Sequence, residues 1–239
     1  MRWGKGGKGE GYGEGVLLEP LTLWLAATNA WIIAPDGPGG ECVVVDAPPE
    51  PDPLIARLAE LDLRLVALIA SHGHIDHVGG IGSVIRGAGA PSAPVHIHDD
   101  ARHMLLDPLG SGGMLARYLD GLDLRPPEVL LGLDDGEVVT GAGMRFEVLH
   151  TPGHTRGSVC LRLDVEGQPP LLFSGDHLFA GSIRRTDLPG GSFEQLMSSM
   201  ADKILPLDDD LAVLPGHGPT TTIGQERRTN PFLLELQQG

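Results

Sequence analysis

His72-Gly73-His74-Ile75-Asp76-His77 places three imidazoles and one carboxylate in six consecutive positions. No regular element lays out four such side chains for packing, and their shared chemistry is to converge on cations. Three further turns carry the same residue types: Thr151-Pro152-Gly153-His154-Thr155, Ser174-Gly175-Asp176-His177 and Pro215-Gly216-His217-Gly218-Pro219. In each, Gly or Pro lets the backbone turn sharply and aim one side chain. The candidate ligands are therefore His72, His74, Asp76, His77, His154, Asp176 and His217. Two metals explain these groups better than one, because a zinc site takes about four ligands and a catalytic site keeps one position for water. A shared carboxylate and a shared hydroxide can bridge two ions about 3.5–4 Å apart. Imidazole and carboxylate without thiolate suit zinc, iron or manganese. The expected cofactor is two divalent metal ions, with zinc first. His96, His98, His103, His150 and His177 lack a ligand context and are expected to hold no metal.

The elements that position these turns are legible in the apolar pattern. Val16–Leu25 (broken near Pro20), Ala30–Ile33 and Glu41–Val45 read as strands. Leu54, Ile55, Leu58 and Leu61 mark an amphipathic helix. Leu65–Ala70 reads as a buried strand running into the histidine cluster, and a helix is expected from Val78 to the glycines at 87 and 89. Val95–Ile97 is a further strand, and residues 101–127 read as a helix and loop covering the site. Strands resume at Val129–Leu131, Glu137–Val139, Met144–Leu149, Val159–Leu163 and Pro170–Phe173. Phe193, Leu196, Met197, Met200 and Ile204 share one helical face, with a capping box from Ser192 and Gln195. Leu211–Leu214 is a short strand, and a last helix runs from Thr222 to a stop at Asn230-Pro231. Strands, then helix–strand–helix, occur twice in succession. That order predicts an α/β (α+β) four-layer αββα sandwich, two sheets face to face with helices outside. The expected organisation is a glycine-rich tail at residues 1–15 and a single domain over 16–239.

Composition narrows the partners. Net charge is −15, from 17 basic and 32 acidic residues, which disfavours nucleic acid and an anionic membrane surface. A small-molecule substrate is expected instead. The two cysteines, Cys42 and Cys160, each lie in an apolar run and read as core thiols, so neither a disulfide framework nor a thiolate zinc site is available. This agrees with a cytoplasmic protein. The apolar stretch from Leu21 to Ala30 is read as part of a β-hairpin rather than an export signal.

The four ligand-bearing segments resemble the motifs of the metallo-β-lactamase fold superfamily in order and spacing, over about residues 16–235. The resemblance implies an αββα sandwich with metals at one edge. It implies that His72, His74 and His154 hold the first metal, that Asp76, His77 and His217 hold the second, and that Asp176 bridges them. Asp46, ending Val43-Val44-Val45, matches the family's strand-end aspartate and is implied to support the ligands from behind. The cysteine ligand of the best-known β-lactamase subclass has no counterpart, so drug hydrolysis is not expected. Leu178 to Leu233 resembles the glyoxalase II (hydroxyacylglutathione hydrolase-like) branch, in its short bacterial form. Arg185-Thr186-Asp187, Gly190-Gly191-Ser192 and Thr221–Arg227 before Asn230-Pro231-Phe232 carry that likeness. Short members lack the helical domain that binds glutathione in longer enzymes. Arg184 is a departure, since the family tends to have Gly there. Arg185 and Asp187 are read as an ion pair near the site.

The expected activity is hydrolysis of an S-2-hydroxyacyl thioester by a metal-activated hydroxide, with Asp76 ligating a metal, orienting the hydroxide and managing its proton. One alternative is a persulfide dioxygenase-like oxidoreductase using one iron on His72, His154 and Asp176. A lactonase or a phosphodiester hydrolase is another, and a non-catalytic metal-stabilised binding module is the remaining one.

Overall fold

The computed structural model describes residues 16–164 and 170–237. The tail expected at residues 1–15 lies outside the described residues. The first sheet comprises β1 (Leu17–Leu23), β2 (Thr28–Ala34), β3 (Glu41–Val45), β4 (Arg64–Ile69), β5 (Val95–His96) and β6 (Leu130–Leu131), in that order across the sheet. The second comprises β7 (Val138–Gly141), β8 (Met144–His150), β9 (Val159–Leu163), β10 (Leu171–Gly175), β13 (Ala212–Pro215) and β14 (Thr221–Thr222), with order β14-β13-β10-β9-β8-β7. Between β10 and β13 in the chain, β11 (Leu178–Phe179) and β12 (Ser182–Ile183) form a separate hairpin. The helices are α1 (Pro51–Glu60), α2 (Ile75–Val78), α3 (Ile81–Gly87), α4 (Asp99–Leu106), α5 (Pro108–Ser111), α6 (Phe193–Ser199), α7 (Ile223–Thr229) and α8 (Pro231–Leu236).

Alternation along the strands builds the four layers. Successive side chains point to opposite faces, so Trp31 and Ile33 of β2 face inward with Phe146, Leu161, Leu163, Leu171 and Phe173 of the second sheet. Ala30, Ile32 and Ala34 face outward onto Leu54 and Leu58 of α1 and Ile81, Val84 and Ile85 of α3. On the other side, Cys160, Leu172 and Val213 face outward onto Leu196 of α6, Ile223 of α7 and Leu233 of α8. Both cysteines are buried and unpaired, as their apolar context predicted. Each fully buried Leu, Ile or Phe contributes roughly 1.5–3 kcal/mol of transfer free energy. The expected αββα sandwich is the observed one. No helix among the described residues is long and apolar enough to cross a membrane.

Several boundaries differ from the sequence expectation. β1 is not broken at Pro20, which pairs with Trp31. β1 lies at the sheet edge, where a residue without an N–H is tolerated. The helix expected from Val78 is two helices, α2 and α3, separated at Gly79-Gly80. A Cβ on Gly80 would meet the Pro48 carbonyl oxygen at 2.0 Å, so only glycine allows that close crossing. The Ser192 cap is present, its hydroxyl accepting from Gln195 N at 3.2 Å. Beyond Ser199, however, the helix widens into a π turn over Met200–Ile204, and Phe193 is 52 % exposed rather than core. The helix expected after Thr222 does stop at Asn230, as α7, but it is not the last one. Asn230 caps α8 by accepting from Phe232 N at 3.1 Å, and Pro231 occupies the first helical position, where its missing N–H costs nothing.

Candidate metal centre

Parallel pairing brings the ligand turns together in two halves. β3 lies parallel to β4 with Val45 beside Ile69, so Asp46 and the Ser71-His72 turn emerge at the same sheet edge. β10 lies parallel to β13 with Gly175 beside Pro215, so Asp176 and His217 emerge together. A backbone hydrogen bond from Val159 N to Ser71 O, 2.8 Å, ties the two sheets at this edge. The hairpin between β1 and β2 closes one side: Asn29 Nδ2 donates to the carbonyls of Pro215 and Gly218, both at 3.0 Å. Asp76 and His77 ride on the single turn of α2, while His72 and His74 precede it. The segment expected to cover the site does so at α4, because a Cβ on Gly73 would meet the Ala101 carbonyl and Met104 at 2.9 Å.

All seven predicted ligands gather. His72 Nε2 and His154 Nε2 stand 3.1 Å and 2.8 Å from His74 Nδ1. His77 Nε2 is 3.3 Å from His217 Nε2, and Asp76 Oδ2 is 3.6 Å and 3.3 Å from those two nitrogens. Asp176 lies between the groups. Its Oδ2 is 3.5 Å from His154 Nε2 and 3.9 Å from His72 Nε2, and its Oδ1 is 3.4 Å from both His77 Nε2 and His217 Nε2. Metal bonds of about 2.05 Å at tetrahedral angles put donor atoms roughly 3.4 Å apart, which matches this spacing. His72, His77, His154 and Asp176 are buried, whereas His74 and His217 are half-buried and mark the opening.

The outer hydrogen bonds show which ring nitrogen His72, His77, His154 and His217 offer. His77 Nδ1–H donates to Asp46 Oδ2 at 2.8 Å, His154 Nδ1–H to the Arg185 carbonyl at 2.8 Å and His217 Nδ1–H to the Ala26 carbonyl at 3.1 Å. Ser71 Oγ donates to Asp46 Oδ2 at 2.7 Å and accepts from His72 Nδ1, 3.1 Å away. His72, His77, His154 and His217 thus direct Nε2 inward, where each would offer its lone pair to a cation. Both oxygens of buried Asp176 have no hydrogen-bond donor. A buried carboxylate without donors is costly, and a pair of cations removes that cost. The donor set fits two divalent metals.

Electrostatics separates the halves. Burial, with the neighbouring His77, holds His72 well below the ordinary imidazole range, and burial with His154 lowers His74 to about 4. His154 is likewise lowered by burial. Burial also opposes protonation of His77 and His217, but carboxylates overcome it. Asp176, Asp46 and Asp76 raise His77 well above its ordinary value, and the nearby carboxylates of Asp176 and Asp76 raise His217 to about 9. Burial works against ionising Asp76, yet His77 and His217 bring it down to about 2.

The remaining residues fall into place around this cluster. Arg185 and Asp187 form the expected ion pair, with two contacts of 2.6 Å, exposed beside the site. His98 stacks on His150 at 4.1 Å, and neither belongs to a ligand group, nor do His96 and His103. His177 is buried with both ring nitrogens unpartnered, and it too is outside the ligand groups. Sequence reasoning missed Ser71, Thr28 and the carbonyls of Ala26 and Arg185. Thr28 Oγ1 approaches Asp76 Oδ2 at 3.5 Å across 48 positions, and no local signal announces that contact. Ser71 adjoins His72, so adjacency to the cluster was its one available signal. Arg184 stood out in the sequence as a departure, and its Nε lies 2.8 Å from Asp176 Oδ2.

The chain is similar to known proteins along most of its length. A family model described as the metallo-beta-lactamase superfamily matches residues 23–217. The hydroxyacylglutathione hydrolase GloC of Haemophilus influenzae is 38 % identical over 212 residues, covering 88 % of this chain and 90 % of that protein. The crystal structure of the B3 metallo-beta-lactamase BLEG-1 superposes with a TM-score of 0.79 at 37 % identity, covering 91 % of this chain and 99 % of that one. The structure of TTHA1623 in a di-iron-bound form gives a TM-score of 0.72 at 36 % identity, covering 90 % and 100 %.

Proposed function

Because this chain belongs to the metallo-beta-lactamase superfamily, we propose that it is a dinuclear metal-dependent hydrolase that cleaves a small thioester of the S-2-hydroxyacyl-thiol kind. One observation carries the reading: the two oxygens of Asp176 divide between two groups of histidines. His72, His74 and His154 would hold one ion and Asp76, His77 and His217 the other, with Asp176 within reach of both. Such a pair supplies, when bound, a nucleophilic oxygen at neutral pH and an electrophile for the carbonyl.

The chain's own residues do the rest. Asp46, Ser71 and the carbonyls of Ala26 and Arg185 keep the imidazole lone pairs turned inward. Asp76, at the mouth beside half-buried His217, would ligate a metal, orient the attacking water and manage its proton. Water adds to the carbonyl carbon and the carbon–sulfur bond breaks, giving an acid and a thiol. A thiolate leaves readily, so no strong general acid is required. The likeness to the Haemophilus hydroxyacylglutathione hydrolase supports a thioester. Zinc is the first choice of metal, and the di-iron form of TTHA1623 supports iron as the alternative.

A one-iron dioxygenase built on His72, His154 and Asp176 would leave Asp76, His77 and His217 gathered without a role. A second reading, β-lactam hydrolysis, is favoured by the similarity to BLEG-1. Protein purified without added metal and analysed for its elements should contain about two metal ions per chain. It should hydrolyse S-lactoyl thiols faster than a chromogenic β-lactam, and His72→Ala should lose that activity. Equal thioester rates for wild type and His72→Ala would remove the proposal.

A further inference from the structure

We infer that Arg184 is a specificity-determining residue that binds a carboxylate on the substrate, so that the thioesters this site selects are anionic ones. The inference rests on the hydrolase reading above and names its substrate class. Arg184 reaches the site through the β11–β12 hairpin. Leu178 pairs with Ile183 and Phe179 with Ser182, so continuing the register sets Arg184 beside His177, next to Asp176. The hairpin is held from below. Buried Glu226 accepts from Gly181 N at 2.7 Å, and Asn230 Nδ2 donates to the Ser182 carbonyl at 3.1 Å. The guanidinium is therefore delivered by a fixed element. Its Cζ lies 5.8 Å from the centre of the Phe179 ring.

The guanidinium has little to do within the protein. Its sole ion-pair partner among the described residues is Asp176 Oδ2, at 2.8 Å, and that Nε–H is misaligned and makes no hydrogen bond. Asp176 is the carboxylate that would bridge the two ions. Arg184 therefore stands charged beside the first histidine group with no hydrogen bond from its N–H donors among the described residues, and its side chain is 29 % exposed. Its neighbour shows the contrast, since Arg185 directs two donors onto Asp187 at 2.6 Å. A planar fork of N–H donors matches a carboxylate bidentately, and a guanidinium keeps its charge in proteins. In a chain of net charge −15, this cation at the reaction centre is a local exception.

The test uses metal-loaded wild type, Arg184→Gln and Arg184→Lys with paired thioesters that differ only in a carboxylate or its carboxamide. One pair carries it on the acyl side and another on the thiol side. Binding of the matching non-hydrolysable thioethers is measured by calorimetry, and metal content is measured for every protein. The expected result is a KM and a dissociation constant at least about tenfold lower for the carboxylate on one side in wild type, a difference of about 1.4 kcal/mol. That ratio should collapse towards one in Arg184→Gln and be partly kept in Arg184→Lys, at unchanged metal content. Equal binding of carboxylate and carboxamide by wild type would overturn the inference. So would an Arg184→Gln defect equal for both ligands, or one that follows loss of metal. Wild type that binds the carboxylate selectively but cleaves neither thioester would instead sink the hydrolase reading and leave Arg184's role standing.

Discussion

Asp46 Oδ2 stands 2.8 Å from His77 Nδ1, and this contact turns His77 Nε2 toward Asp176 Oδ1, 3.4 Å away. Asp46 itself is held in the left-handed region at φ 62°, a conformation Asp tolerates better than most residues. Its carboxylate also accepts from Ser71 N and Ser71 Oγ, each at 2.7 Å. One buried side chain thus links the end of β3 to ligands of both halves.

Replacing Asp46 with Ala should therefore weaken metal binding more than folding. Loss of such an outer partner typically costs about 10–100-fold in metal affinity or activity. Competition with a chelating dye should show that drop, concentrated in the more weakly held ion. Affinity within a factor of two of wild type would contradict the assignment.

Gly216 is the tightest point behind the second position. A Cβ there would meet His77 Cε1 at 2.6 Å and Asp176 Oδ1 at 2.7 Å. Gly216→Ala should displace both ligands while leaving the sheets intact. The expected outcome is an unchanged far-ultraviolet circular dichroism spectrum, with one metal ion or none retained. A variant that keeps full metal content would show that the turn yields without moving the ligands.

The opposite titration of the two halves makes metal loading pH-dependent. Before loading, the first group is proton-free at neutral pH because burial lowers His72, His74 (to about 4) and His154. His77 and His217, raised by their carboxylates despite burial, carry protons there, with His217 at about 9. Loading of the second position must release protons, so its affinity should climb as pH rises from 7 towards about 9. Calorimetry in buffers of different ionisation enthalpy should detect proton release for the second ion and little for the first.

The same raised values affect the metal-free protein with a definite sign. A histidine whose folded value lies above its unfolded one stabilises fully below the ordinary value of 6.5. That contribution disappears as pH rises through about 9. Chelator-treated protein should melt at progressively lower temperature from neutral pH to above 9, whereas loaded protein should not follow that slope. Parallel slopes for the two forms would refute the protonated state of this half.

Glu226 is the support beneath the hairpin that carries Arg184. It is 1 % exposed and accepts from Gly181 N, Thr221 Oγ1 and Asn230 Nδ2 at 2.7, 2.6 and 2.9 Å. Glu226→Ala strands these donors, and the expected loss is about 3 kcal/mol of unfolding free energy by urea denaturation. A loss below about 0.5 kcal/mol would mean that water replaces the carboxylate without cost.

The ligand types, the turns that present them and the layered architecture are legible in the residue pattern alone. Gly and Pro constrain the backbone locally, so Pro152-Gly153-His154 and Pro215-Gly216-His217 could be read as aimed side chains without knowing their neighbours. Period-two burial likewise exposed the strands, because alternation is a local property of extended chain. Helix limits were less legible. Pro231 reads equally as the end of one helix or the start of the next, and Gly80 separates α2 from α3 because the distant Pro48 carbonyl crosses it. The ring nitrogen presented by His77, His154 and His217 is set by the fold. It depends on acceptors 31 positions away for His77 and His154 and 191 away for His217. The fold also decided that Asp176 divides its oxygens between two groups and that Arg184 faces it. These relations arise where strands distant in sequence pair in parallel, and no pattern within one segment encodes the register between two.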